Sequence, residues 1–330
     1  MNLMRKRSLI LILFLLTILL AACQRSTPTA PIPTLETPPT VTATETPEAN
    51  PERMVVSGGE VSPETRERLD ALAAGQGWQL DVQDSVQPAG LDEQVRVLIF
   101  LSKPANLDEI LAAQPSRPVI VISGDELPTA GNLTQVKTRP ETAVFMAGYL
   151  SALVAEDWRV GALLPGDDAA VEEVFENGAR FLCGNCSPSH PPYVFFPSIA
   201  SLASNAGGAE WREALKTIAM DRIDVLYLDA VALLPEVIDE ALAQNMKLIG
   251  NQTPPENARS VWLATIRLDA LATVETAWSE ILAGQGGRVL NAQPALTDVD
   301  ASILTPGKQQ LFEATCRELI EGRIYPFDVK

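Results

Sequence analysis

Cysteine offers this chain its widest choice of chemistry, and its four copies sit in three different settings. Cys23 closes the run Leu20-Ala21-Ala22-Cys23, where small residues precede a thiol at the end of an apolar stretch. A thiol there is a nucleophile able to accept a lipid, and small neighbours let a peptidase admit an extended backbone. Cys183-Gly184-Asn185-Cys186 is a C-x-x-C, a spacing that serves a redox pair, half of a zinc site or a small structural disulfide. A second metal-ligand pair is missing and the sole histidine, His190, lies in Ser-His-Pro-Pro, so no metal is expected. An exported setting favours the disulfide, closing a helix end, with redox or metal use as the alternatives. Cys316 falls inside an apolar helical pattern and reads as a core thiol.

Catalytic constellations are not apparent. The chain has no Gly-x-Ser-x-Gly, His-Glu-x-x-His or Walker loop. One histidine between prolines is a poor basis for a Ser-His-Asp system. Acid pairs such as Asp167-Asp168 and Glu172-Glu173 are common in so acidic a sequence and give a hydrolase no positive support. Neither enzyme activity nor a cofactor is expected.

The N-terminus explains the setting of Cys23. Arg5, Lys6 and Arg7 form a basic patch, and no charge follows from Ser8 to Ala22. The apolar run is shorter than the roughly 20 residues of a spanning helix, and the layout is that of a secretory signal. Its end resembles the bacterial lipobox. Residues 1–22 are thus expected to be cleaved, with Cys23 lipidated and held to a membrane on the extracytoplasmic side; each buried CH₂ of the lipid contributes about 0.8 kcal/mol. Residues 23–52 are rich in Thr, Pro, Glu and Ala and read as a disordered, partly extended tether. The whole chain carries 25 basic and 42 acidic residues; losing Arg5, Lys6 and Arg7 takes its net charge from −17 to −20. Such a surface repels nucleic acid, which is not an expected partner.

From residue 53 onward, short β-rich runs alternate with helical patterns, the signature of an α/β fold with parallel sheets. Strands are predicted at 54–57, 78–82, 96–101, 118–122 and 133–137, with helices at 63–74 and 106–113. Ser62 and Asn106 stand at the N-cap positions of these helices. Residues 141–155 form a helix apolar on most of its circumference, buried between layers. A second series follows, with strands at 160–164, 193–196, 224–228, 247–250 and 261–266 and helices at 169–181, 209–220 and 234–244. The tail adds helices at 269–283 and 306–321 and a strand at 295–299. Two such series predict two doubly wound parallel-sheet lobes joined by a hinge, periplasmic-binding-protein-like (type I). Lobe 1 is assigned 53–155 with return segments from about 269–330, and lobe 2 is assigned 156–268.

Several passages, in order, resemble the basic membrane lipoprotein (BMP) family, substrate-binding components of ABC transporters that include nucleoside binders. The acidic Glu141, then Phe145-Met146-Ala147-Gly148-Tyr149, then Val160-Gly161, is similar to its Phe-x-Ala-Gly-Tyr helix and Val-Gly strand. Ala147 and Gly148 are read as letting this helix pack closely against a sheet. Phe175-Glu176-Asn177-Gly178, Ile223-Asp224-Val225-Leu226-Tyr227, Leu263-Ala264-Thr265-Ile266-Arg267-Leu268-Asp269 and Leu319-Ile320-Glu321-Gly322-Arg323-Ile324 continue the likeness. The family's ligand-holding Asp-x-Gly-x-x-Asp-x-Ser-Phe-Asn segment is replaced here by Val56-Ser57-Gly58-Gly59-Glu60-Val61-Ser62-Pro63. Its aspartate after Gly-Val corresponds to Asn251, and its lysine to Arg267.

In open parallel sheets, ligands bind beyond the carboxyl ends of the strands. That rule selects Ser57, Gly58, Ser123, Asp125, Asp229 and Asn251, and the resemblance adds Arg267, whose planar fork suits a carboxylate, phosphate or carbonyl. The expected function is capture of a small polar solute, nucleoside-like on the family's pattern, for an ABC permease. The alternative is a ligand-sensing or scaffolding lipoprotein of the same fold with no transport role.

Overall fold

The computed structural model describes residues 51–59 and 61–327. The expected signal, Cys23 and the tether up to residue 50 lie outside the described residues.

The first lobe is a six-stranded sheet of β1 (Arg53–Ser57), β2 (Gln79–Gln83), β3 (Val95–Phe100), β4 (Val119–Ser123), β5 (Leu133–Lys137) and β11 (Arg288–Asn291). Their spatial order is β2-β1-β3-β4-β5-β11, all parallel. The core strands are apolar at almost every position because helices cover both faces. Helices α1 (Pro63–Ala74) and α7 (Ala270–Leu282) share a core on one face with Met54, Val56, Val97 and Ile120. Helix α2 (Leu107–Ala113) packs on the other with Val55, Leu98 and Val119. Ser62 caps α1, its hydroxyl accepting from the Thr65 N–H at 3.1 Å, and Pro63 takes the first turn, where a missing N–H costs nothing. Asn106 stands at the N-cap of α2 but does not cap it; its amide donates instead to the Val86 carbonyl.

The second lobe repeats the plan. Its strands are β6 (Val160–Pro165), β7 (Ser198–Leu202), β8 (Val225–Leu228), β9 (Lys247–Gly250), β10 (Trp262–Asp269) and β12 (Gln293–Thr297), ordered β7-β6-β8-β9-β10-β12 with β12 antiparallel. Helices α3 (Pro140–Val154), α4 (Ala169–Cys183) and α8 (Pro306–Ile320) cover one face. Helices α5 (Gly208–Ala219) and α6 (Pro235–Ala243) cover the other.

Three sequence expectations are corrected by these contacts. The helix within 141–155 was assigned to lobe 1, but Phe145, Leu150 and Ala152 of α3 lie in the core with Val160, Tyr227 and Ile249 of lobe 2. The same core holds Phe312, Cys316 and Leu319 of α8, so among the described residues of the tail only α7 and β11 return to lobe 1. Residues 193–196 are no strand. Phe196 N–H donates to the Cys186 carbonyl inside a loop, Pro197 has no N–H to offer a ladder, and pairing begins at Ser198. Strand β11 was not foreseen.

Gly148 also meets a different neighbour from the one expected. A Cβ on it would overlap Phe175 O, and one on Gly178 would overlap Phe145 O. Two glycines thus let the backbones of α3 and α4 touch, helix against helix rather than helix against sheet.

The chain crosses between lobes three times: from β5 to α3, from β10 to α7, and from β11 to β12, the last across Ala292 alone. Strand β10 spans the junction. Its first half pairs with β9, and its second half, from Thr265 to Asp269, pairs with β12.

Candidate functional site

Strand order reverses at β1/β3 in one sheet and at β6/β8 in the other, and the carboxyl ends there are where a doubly wound sheet receives a ligand. Ser57 ends β1 and is buried. Gly58 follows with φ +101°, in the left-handed region that favours glycine, and a Cβ would stand 2.9 Å from Ser102 Oγ. Its carbonyl accepts from that hydroxyl at 2.8 Å. At the end of β4, Ser123 Oγ accepts from Asp125 N–H at 3.1 Å, and the Gln135 amide donates to the carbonyls of Ser123 (3.2 Å) and Asp125 (2.6 Å). Ser123 and Asp125 thus form a turn tied back to β5, with Asp125 exposed.

In the second lobe Asp229 and Asn251 come together at the ends of β8 and β9. Asn251 Nδ2 donates to Asp229 Oδ2 at 2.8 Å, and Val231 N–H donates to Asp229 Oδ1 at 3.2 Å. Burial pushes the Asp229 carboxyl above its ordinary range, and hydrogen bonds from the Val231 N–H, the Asn251 amide and the Ala230 N–H work against that rise. Asn251 Oδ1 is buried with no partner among the described residues. Beside them Thr265 Oγ1 accepts from Trp262 Nε1 at 3.0 Å and donates to Asp298 Oδ2 at 2.9 Å.

A cavity of about 280 Å³ lies between the lobes at the β10 crossover. Ser62, Glu64, Thr65 and Arg68 of α1 form one wall; Leu101 and Ile122 close it from the first sheet; residues 267–271, Ala295 and Thr297 complete it. Of the seven residues selected from the sequence, Arg267 alone lines this space. Its Nη2 donates to Glu64 across the lobes at 3.1 and 3.3 Å. Arg68 Nη1 reaches both oxygens of Asp269 at 3.0 Å, while its Nε and Nη2 reach Glu275 at 2.8 and 2.9 Å. The Glu275 bonds first, and Asp269 second, push the Arg68 guanidinium above the ordinary arginine value. Asp269 also caps α7 through Ala272 N–H at 2.8 Å.

Glu64, Arg68 and Asp269 were missed because the strand-end rule was applied to loops and not to the helix turns beside them. A signal existed: Glu64 and Arg68 stand four apart, one turn along one face of α1, at the helix start that follows β1.

The cysteines lie elsewhere. Cys183 and Cys186 are joined by a disulfide at the end of α4, with Cα atoms 4.9 Å apart. The loop that follows sits at the amino ends of the second sheet, where Arg159, just ahead of β6, donates to the His190 carbonyl at 2.6 Å. Cys316 is free and buried, and burial pushes its thiol up to about 12.

No protein-family model matches this chain, and no curated protein matches it in sequence. Solved structures do. The chain is similar to an ABC transporter system solute-binding protein from Conexibacter woesei DSM 14684, at TM-score 0.58 and 16% identity over 84% of this chain and 100% of that one. It is similar to an ABC transporter system solute-binding protein from Aeropyrum pernix K1, at TM-score 0.53 and 13% identity over 83% and 93%. A transcriptional activator of the comK gene from Bacillus halodurans matches at TM-score 0.56 and 13% identity over 83% and 99%. The two parallel-sheet lobes have the periplasmic-binding-protein-like fold that these neighbours share.

Proposed function

We propose that the chain is a lipid-anchored, extracytoplasmic solute-binding protein that captures a small polar solute between its lobes and presents it to an ABC permease. The observation that carries this reading is the cavity at the crossovers, walled by α1 and the first sheet on one side and by β10 and β12 on the other. Short crossovers on such a plan allow hinge closure around a guest. The likeness to ABC solute-binding proteins supports the reading through the fold. Cys23 behind its signal supports the anchor, and the acidic surface suits neither nucleic acid nor an anionic bilayer. Within this class the sequence passages favour the BMP family. The first lobe lacks that family's acidic and aromatic ligand segment, so the solute it selects is set by other residues.

The test has two arms. Replacing Cys23 by Ser should abolish acyl labelling and release the protein from the membrane fraction; labelling that persists refutes the anchor. A thermal-shift screen of sugars, nucleosides and amino acids should find a solute that raises the melting temperature, and small-angle scattering should show contraction on its addition. Binding without contraction would mean that the lobes do not close.

A further inference from the structure

The interlobe cavity carries two ion pairs of opposite sense. Glu64 and Arg68 lie on one face of α1; Arg267 and Asp269, two apart, lie on one side of β10. Glu64 meets Arg267, and Arg68 meets Asp269. The pairs are not equivalent. Arg68 is saturated, with three nitrogens committed to Asp269 and Glu275, and Asp269 is further engaged with α7. Arg267 commits a single nitrogen, and its other two make no hydrogen bond among the described residues. The Arg267 and Glu64 side chains are 39% and 61% exposed. A solvent-screened pair of this kind contributes only about 0–1 kcal/mol, so a guest can open it at little cost.

The charges in this wall decide which guest. Among the lining side chains Glu64, Arg68, Arg267 and Asp269 sum to zero, and Glu275, behind Arg68 and outside the lining, adds one negative charge to the cluster. A lone anion taking Arg267 is set beside the Glu64 carboxylate, and a lone cation taking Glu64 beside the guanidinium, so each meets a like charge as well as its partner. A neutral polyol can hydrogen-bond to both groups through its hydroxyls, but it brings no charge to replace either partner, and a bond with both sides charged is the stronger. A molecule bearing both a carboxylate and an ammonium replaces both partners at once. Once the pair opens, its carboxylate takes a fork edge that includes the released Nη2, in the bidentate geometry that guanidinium favours, and its ammonium donates to Glu64.

Resting on the solute-capture reading above, we infer that this cavity is built for a small zwitterion of the amino-acid type, with Arg267 holding its carboxylate and Glu64 its ammonium.

Isothermal titration calorimetry on the purified full-length protein in detergent tests this. The probes are glycine, leucine and glutamate, their N-acetyl and amide derivatives, and glucose, inositol and adenosine as neutral solutes. At least one free amino acid should bind, and its N-acetyl and amide forms should each bind about 10- to 100-fold more weakly, having lost one charge-assisted contact. Arg267→Ala should weaken the free amino acid by a similar factor and no longer separate it from its amide. Glu64→Gln should no longer separate it from its N-acetyl form. Glu64 is on an exposed first turn, so its variant keeps the test decisive if Arg267→Ala fails to fold. Binding of a neutral solute alone would overturn the zwitterion assignment and leave solute capture standing. Amino-acid binding with discrimination intact in both variants overturns the assignment as well. Silence across every probe would overturn the assignment and capture together.

Discussion

Asp229 shows how a residue can look like a ligand contact and hold a structural cost at the same time. It stands at a strand end, accepts from Asn251 and Val231, and is pushed toward its neutral form by burial. A carboxyl whose folded-state pKa is raised binds more protons folded than unfolded, so its contribution to stability falls as pH rises through that window. At neutral pH the charged form is a penalty. Asp229→Asn, which keeps an oxygen for the Val231 N–H, is expected to stabilise the protein at pH 7 by up to about 1 kcal/mol, with the gain vanishing in acid below the ordinary aspartate range. Melting temperatures of both proteins across pH 3–8 check this. A variant no more stable than the parent at pH 7 would show that the hydrogen bonds from Val231, Asn251 and Ala230 already compensate the charge. Arg68 makes the opposite case, since its value lies in bonds already made. Arg68→Ala leaves Asp269 and Glu275 without their cation and should lower the free energy of unfolding by about 1–3 kcal/mol, read from urea denaturation. An unchanged midpoint would remove Arg68 from any role in bracing the crossover. The strand-end rule selected Asp229 and Asn251 singly, and the structure brings them into contact; the resemblance added Arg267, which lines the cavity. The rule passed over Glu64 and Arg68: their spacing marks one face of α1, but the partners that face meets lie more than 200 residues along the chain.

At the scale of elements, the passages that read as a family signature turn out to be a packing device. Phe145, Gly148, Phe175 and Gly178 belong to two helices whose backbones meet, each glycine lying against the backbone carbonyl of the other helix's phenylalanine. Gly148→Ala or Gly178→Ala must push backbone from backbone, which no side-chain rotation relieves, and each should cost about 3 kcal/mol or more. Denaturant midpoints of the single variants measure it; a loss below 1 kcal/mol in both would mean that the helices separate freely. Most strands were legible because a doubly covered parallel strand must be apolar through its covered stretch, as Val97–Phe100 is. Two readings failed for physical reasons. Tyr193-Val194-Phe195-Phe196 alternates as a strand does, with Val194 and Phe196 turned inward and Tyr193 and Phe195 outward. Its backbone is committed to the disulfide loop instead. Strand β11 has four residues, one polar at each end, and is defined by pairing with β5 rather than by any pattern of its own.

Over the whole molecule, excess negative charge opposes compaction. With 42 acidic residues against 25 basic, long-range repulsion exceeds what scattered surface ion pairs return. Added sodium chloride screens that repulsion over a Debye length of about 8–10 Å at 0.10–0.15 M. The melting temperature should therefore rise between low salt and 0.3 M. A fall would mean that local pairs such as Arg68 with Asp269 dominate the balance. The division into two α/β lobes was legible from the alternation of strand and helix. Their membership was not, because α3 borders a crossover, α8 follows the last crossover by a single strand, and only packing shows which sheet they cover.

The triple crossing also bears on how the chain is made. Lobe 1 obtains five of its strands from the first 137 residues, yet Val274, Trp278 and Ile281 of its core, on α7, and its sixth strand lie beyond residue 269. On a ribosome, one face of that sheet stays partly bare while the five parallel strands of the other lobe are being synthesised. No single cut in the gene releases either half with its core complete, so neither half can be lost, borrowed or exchanged as a contiguous block.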